Sequence, residues 1–163
     1  MAANILPIKG DIGLGNWQNV IQWGIEASGQ TWKVGAPLVN SSGSLAEAST
    51  DTSGYAGTII GFASGPATGV TGAAAPFIPA ISTATFSGTV DGTLVSTNAP
   101  GTGSVAQTAV WGGIGLQKDA ASGLWYLCTT GTASFIIVGL IDAASTVNGR
   151  VRVQILRAQT LLI

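Results

Sequence analysis

The sequence predicts an all-β protein, an antiparallel β-barrel or β-sandwich with an extended N-terminal arm. Three observations predict it. No window carries a sustained apolar stripe at i, i+3 and i+4. Gly and Pro, 24 and 6 of 163 residues, interrupt nearly every stretch that would otherwise extend a helix. Short alternating or apolar runs recur between turn residues along the whole chain, as in sandwiches and barrels. Parallel sheets need crossover helices, and the sequence offers none.

The expected strands follow in order. Residues 20–26 (VIQWGIE) alternate, with Ile21, Trp23 and Ile25 on one face. Residues 31–34 and 37–39 read as short strands, and Asn40-Ser41-Ser42-Gly43 as a hairpin loop into 44–48. Residues 57–63 (GTIIGFA) read as a core strand, and 83–90 (TATFSGTV) alternate before Asp91-Gly92, a two-residue turn signal into 93–96. Residues 106–111 and 113–117 follow, then a polar turn over 119–123 and the apolar run 124–129 (LWYLCT). Residues 135–141 (FIIVGLI) are the most apolar. Asn148-Gly149 opens 150–157, where Val151, Val153 and Ile155 face one way and Arg150, Arg152 and Gln154 the other. A six-residue echo links IIGFAS (59–64) to IVGLID (137–142) and suggests two equivalent strands.

Two segments stand apart. Residues 1–19 hold Ile5, Leu6, Pro7 and Ile8 among turn residues and read as an arm. Residues 20–163 then form one β-rich body. Residues 65–81 (GPATGVTGAAAPFIPAI) read as a long Pro/Gly-rich loop with an apolar tip at Phe77 and Ile78.

Composition narrows the function. The chain has no His, so it lacks the usual proton shuttle near neutral pH, a Ser-His-Asp triad and imidazole metal ligands. A net charge of −1 gives no basic surface for a nucleic acid. One cysteine, Cys128, cannot close an internal disulfide. No run approaches the ~20 apolar residues of a membrane span, and residues 1–15 show no basic-then-apolar leader, so synthesis in a cytoplasm is expected. No nucleophile elbow, Walker loop or calcium loop is present. Gly13-Leu14-Gly15 and Gly101-Thr102-Gly103 begin dinucleotide fingerprints without completing them. Glu47 with Asp51 is a carboxylate pair of the kind a glycosidase would need, but the two flank a strand end and solvated side chains are the preferred reading. The expectation is a non-enzymatic protein with no cofactor and no metal.

Only 8% of the residues are charged, about a third of the ~25% usual in soluble domains. Such a surface suits a protein packed against copies of itself or a larger assembly. Five tryptophans are many for this length. Core filling among small residues accounts for Trp23 and Trp125, which sit inside strands. Trp17, next to the arm, is the candidate interface anchor. Arg150 and Arg152 share a strand face, which reads either as a solvated face or as partners of Glu47, Asp51 or Asp142, within a chain or across a subunit boundary.

The order of segments resembles the head decoration, or cement, proteins of tailed bacteriophages. The likeness rests on KVGAPLV (33–39), LAEAS (45–49), IIGFAS (59–64), 113–117, Trp125-Tyr126, FIIVGLID (135–142) and GRVRVQIL (149–156), and spans about 30–157. The resemblance implies a small β-rich module, a homotrimer, bound at capsomer junctions on the outside of a virion, where it braces the shell. Its partners would be the major capsid protein and itself, with no nucleic acid and no membrane. The capsid contacts would fall on Ile5, Leu6, Pro7, Ile8 and Trp17, and the subunit interface on Arg150, Arg152, Phe77 and Ile78. Loop 65–81 departs from the pattern. Two other settings fit the same residues: a tail-tube, fibre or spike module of a virion, and a carbohydrate-binding β-sandwich with exposed tryptophans.

Overall fold

The computed structural model of the chain describes residues 6–7, 21–49, 55, 57–82, 84–90, 104–128 and 132–159. These residues form eleven β-strands and two short 3-10 turns, Gln107–Ala109 and Arg157–Gln159, with no α-helix among them. The strands are β1 (Leu6–Pro7), β2 (Gln22–Ile25), β3 (Pro37–Ser41), β4 (Ser44–Glu47), β5 (Gly61–Ala63), β6 (Ala74–Pro79), β7 (Thr85–Thr89), β8 (Gly113–Lys118), β9 (Trp125–Cys128), β10 (Ala133–Leu140) and β11 (Arg150–Ile155).

They make two antiparallel sheets, ordered β2-β6-β5-β3-β4 and β1-β7-β11-β10-β8-β9. The sheets are not closed barrels, and they pack as a sandwich. Phe62 on β5 lies against Phe86 on β7, ring centroids 4.8 Å apart, and against Phe135 on β10 at 6.1 Å. Around these rings Leu38, Ile59, Ile114, Leu116, Leu127, Val153 and Trp125 are buried to 2% exposure or less. The alternation in β11 is realised: Val151, Val153 and Ile155 are buried while Arg150 and Arg152 are exposed. The β3–β4 turn is a tight two-residue hairpin with φ of +51° at Ser42 and +88° at Gly43, closed by the Gly43 N–H donating to Asn40 Oδ1 at 2.8 Å.

The two sheets share one plan. Leaving β1 aside, β2 to β6 and β7 to β11 pair in the same sequence order, first-fifth-fourth-second-third. In each half the residue after the first strand makes an isolated parallel bridge to the third: Glu26 with Leu45, and Val90 with Leu127. Those same residues also donate their N–H to corresponding carbonyls, Glu26 to Ala73 at 2.8 Å and Val90 to Gly149 at 3.0 Å. The echoing segments 59–64 and 137–142 fall on β5 and β10, which hold the same place in the two sheets. The echo does not extend to register, since Gly61 lies opposite Pro79 and Gly139 opposite Arg152.

Four expectations are corrected. Residues 31–34 form a loop, which lets Trp32 turn inward, 2% exposed, with its indole N–H donating to the Gly65 carbonyl at 3.2 Å. Residues 106–111 form a 3-10 turn rather than a strand. The supposed loop 65–81 contains β6, so Phe77 and Ile78 are strand residues and not a loop tip. Prolines usually bar a central strand. Here Pro76 lies level with Ser64, just past the end of β5, where its carbonyl accepts the Ser64 N–H and a proline N–H is not called on. Finally, Trp23 is not core: it is 67% exposed.

Candidate functional site: an open sheet edge

The candidate site is the outer edge of β2. Glu26 donates toward the β6 side, to Ala73, and Ala27 toward the β4 side, to Leu45, both at 2.8 Å. Backbone direction alternates along a strand. The N–H and C=O of Trp23 therefore point, like those of Ala27, away from β6. Glu26–Leu45 is an isolated bridge between β2 and β4, and among the described residues no strand runs between the two. Gly24 brings the two together at the closed end: a Cβ there would lie 2.7 Å from the Leu45 side chain. An open hollow of about 320 Å³ lies alongside, lined by Gly24, Ile25, Leu45, Ile60 and Phe77 and, from the β3–β4 hairpin, by Asn40, Gly43 and Ser44.

The edge is apolar and unguarded. Ile21, Trp23 and Ile25 are 37%, 67% and 51% exposed. The stretch Ile21–Ile25 carries no charge and no proline, the devices that normally blunt an edge strand. Among the described residues four further large apolar side chains, Val70, Trp111, Ile141 and Val147, are also exposed.

The edge is held in place by a buried carboxylate. Glu26 is fully buried, and its oxygens accept from the Thr68 N–H at 2.9 Å, the Thr68 hydroxyl at 3.0 Å and the Gly69 N–H at 2.7 Å. A buried carboxylate needs such donors, and here they fix the β5–β6 connection against the end of β2.

The other carboxylates on described residues are likewise engaged in structure. Glu47 bonds Lys118 Nζ at 2.8 Å and the Trp125 indole N–H at 2.8 Å, tying β4 to the second sheet. Burial alone would raise the Asp119 pKa, but donors from Ser122 and Ala121 hold it below the ordinary carboxylate value and cap the β8–β9 turn. Arg150 grips Asp142 with two side-chain bonds, at 2.8 and 3.1 Å, and donates its backbone N–H at 2.8 Å. These bonds hold the Asp142 carboxyl at about 2.

The predicted site residues are scattered. Leu6 and Pro7 form β1 and pair with Ser87 and Phe86 on the chain's own second sheet. Ile5, Ile8, Trp17, Asp51 and the Asp91-Gly92 turn lie outside the described residues. Arg150 finds its partner, Asp142, inside the chain, while Arg152 is exposed on the same strand. Ile78 is 7% exposed and belongs to the core, so it offers no surface in this chain, whereas Phe77 borders the hollow. Sequence reasoning located β2 but assigned Trp23 to the interior. The missed signal was Gly24, which thins the opposite face of the strand to the width of a Leu45 contact. Searches of protein families, of curated proteins and of solved structures return no match to this chain.

Proposed function

We propose that this chain is a non-enzymatic structural protein that works in many copies, as a decoration protein on the outer surface of a tailed-phage capsid. Its partners in this reading are the major capsid protein and two further copies of itself. One observation carries the multi-copy part: in a chain with 8% charged residues the described part of the sandwich leaves an uncharged edge strand open, with Trp23 and Ile25 more than half exposed. Apolar edges of this kind pair with other chains, and in a lattice a modest energy per site is multiplied by the number of sites. The capsid part rests on the segment order from Lys33 to Leu156, which resembles that of cement proteins.

Co-sedimentation with undecorated shells of the parent phage tests it. The expected result is saturable binding at a fixed number of copies per shell, with shells that then withstand chelator or heat better. Shells that pellet without the protein at micromolar concentration would overturn the capsid reading.

A further inference from the structure

The shared plan of the two halves shows what the open edge of β2 is shaped to hold. By the matching bridges, Val90 corresponds to Glu26, so Ser87 corresponds to Trp23 and Phe86 to Gln22. In the second half this edge is occupied. β1 lies antiparallel to β7 on the side away from β11, with Leu6 opposite Ser87 and Pro7 opposite Phe86. Val90 donates toward β11, so by alternation Phe86 also faces β11 and Ser87 faces β1. Pro7 thus sits opposite a residue that asks nothing of it, and its missing N–H costs no ladder bond. In the first half the corresponding edge has no strand among the described residues. In its place are exposed Trp23 and Ile25 and the apolar hollow.

We propose that the gap between β2 and β4 accepts an extended, uncharged, apolar polypeptide strand from another chain, antiparallel to β2 and opposite Trp23, as β1 lies opposite Ser87. Main-chain bonds to Trp23 supply affinity, and the side chains facing Trp23 and the hollow supply selectivity. The incoming strand needs the chemistry of β1 and its neighbours: small or aliphatic residues, no charge, and tolerance for a proline at positions that face away from β2. This deepens the proposed function, since it names the kind of contact the apolar edge makes, but it holds for any assembly in which the chain takes part.

The probe is an acetylated, amidated peptide of residues 2–8 (AANILPI), titrated into isotope-labelled full-length protein. The expected result is a saturable change at the amides of Gln22 to Ile25 and at the Leu45 methyls, with slowed hydrogen exchange at the Trp23 amide. Trp23→Lys, a change at a 67% exposed side chain, leaves the thermal midpoint in place and weakens binding at least ~10-fold. No saturable change at Trp23 up to millimolar peptide would overturn the proposal. So would changes confined to Phe86 and Ser87, which would mean simple displacement of β1. Protection of Trp23 that grows with protein concentration in the absence of peptide, and that the peptide competes away, would support the proposal, the strand then coming from a second copy. The peptide reads the slot of a single chain, so its failure leaves the shell-binding result independent.

Discussion

At the scale of single residues, function and structure divide along the tryptophans. Trp125 and Trp32 each bury the ring and place the indole N–H on a partner, Glu47 and the Gly65 carbonyl. Trp23 and Trp111 leave theirs largely in solvent, 67% and 70% exposed. Replacing Phe62 with Ala removes the ring that joins the sheets and should cost roughly 3–5 kcal/mol, read by chemical denaturation, whereas Trp23→Lys should leave the denaturation midpoint unmoved. The Asp142–Arg150 pair gives a pH prediction. The folded carboxyl titrates at about 2, below its ordinary 3.8, so whatever the pair contributes is fully present above pH ~4 and is lost as pH falls toward 2. Because Arg150 is exposed and Asp142 partly so, solvent screens the pair and the contribution is small. Carboxyl-carbon NMR should find the Asp142 midpoint near 2 in the wild type, and raised toward but still below the ordinary value in Arg150→Gln, which keeps the backbone N–H bond.

At the scale of elements, turns and connections set the precision of the fold. The Asn40–Gly43 hairpin was legible because a polar turn that ends in Gly supplies the positive φ that a tight hairpin needs. Gly43 at φ +88° makes Gly43→Val a testable loss of about 1–2 kcal/mol, with the β3–β4 amides exchanging sooner. Strands that pair period-two alternation with a turn, such as β11, were equally legible. β6 was not, because Pro76 and Pro79 read as breakers, and only the lengths of the neighbouring strands decide whether a proline N–H would be used. The Glu26 connection was also hidden, since nothing local says that a carboxylate after β2 will meet Thr68 and Gly69. Glu26→Ala should leave those N–H groups without their acceptor at a cost of about 1–3 kcal/mol. It should speed hydrogen exchange at Thr68 and Gly69 before any global loss of fold.

At the scale of the whole molecule, the two sheets repeat one pairing plan with different residues, and the faint echo of 59–64 in 137–142 was its only trace in the sequence. Pairing order depends on contacts far apart along the chain, and a six-residue likeness cannot report it. The same repetition makes the unequal edges informative, β7 covered by β1 and β2 uncovered among the described residues. A low-charge body with one uncovered apolar edge should associate in solution. The most direct measurement is sedimentation of the purified full-length chain from micromolar to near-millimolar concentration. The account predicts a discrete oligomer, of trimer mass in the decoration reading, that Trp23→Lys shifts toward monomer. A single monomeric species over the whole range, identical for wild type and Trp23→Lys, would contradict it.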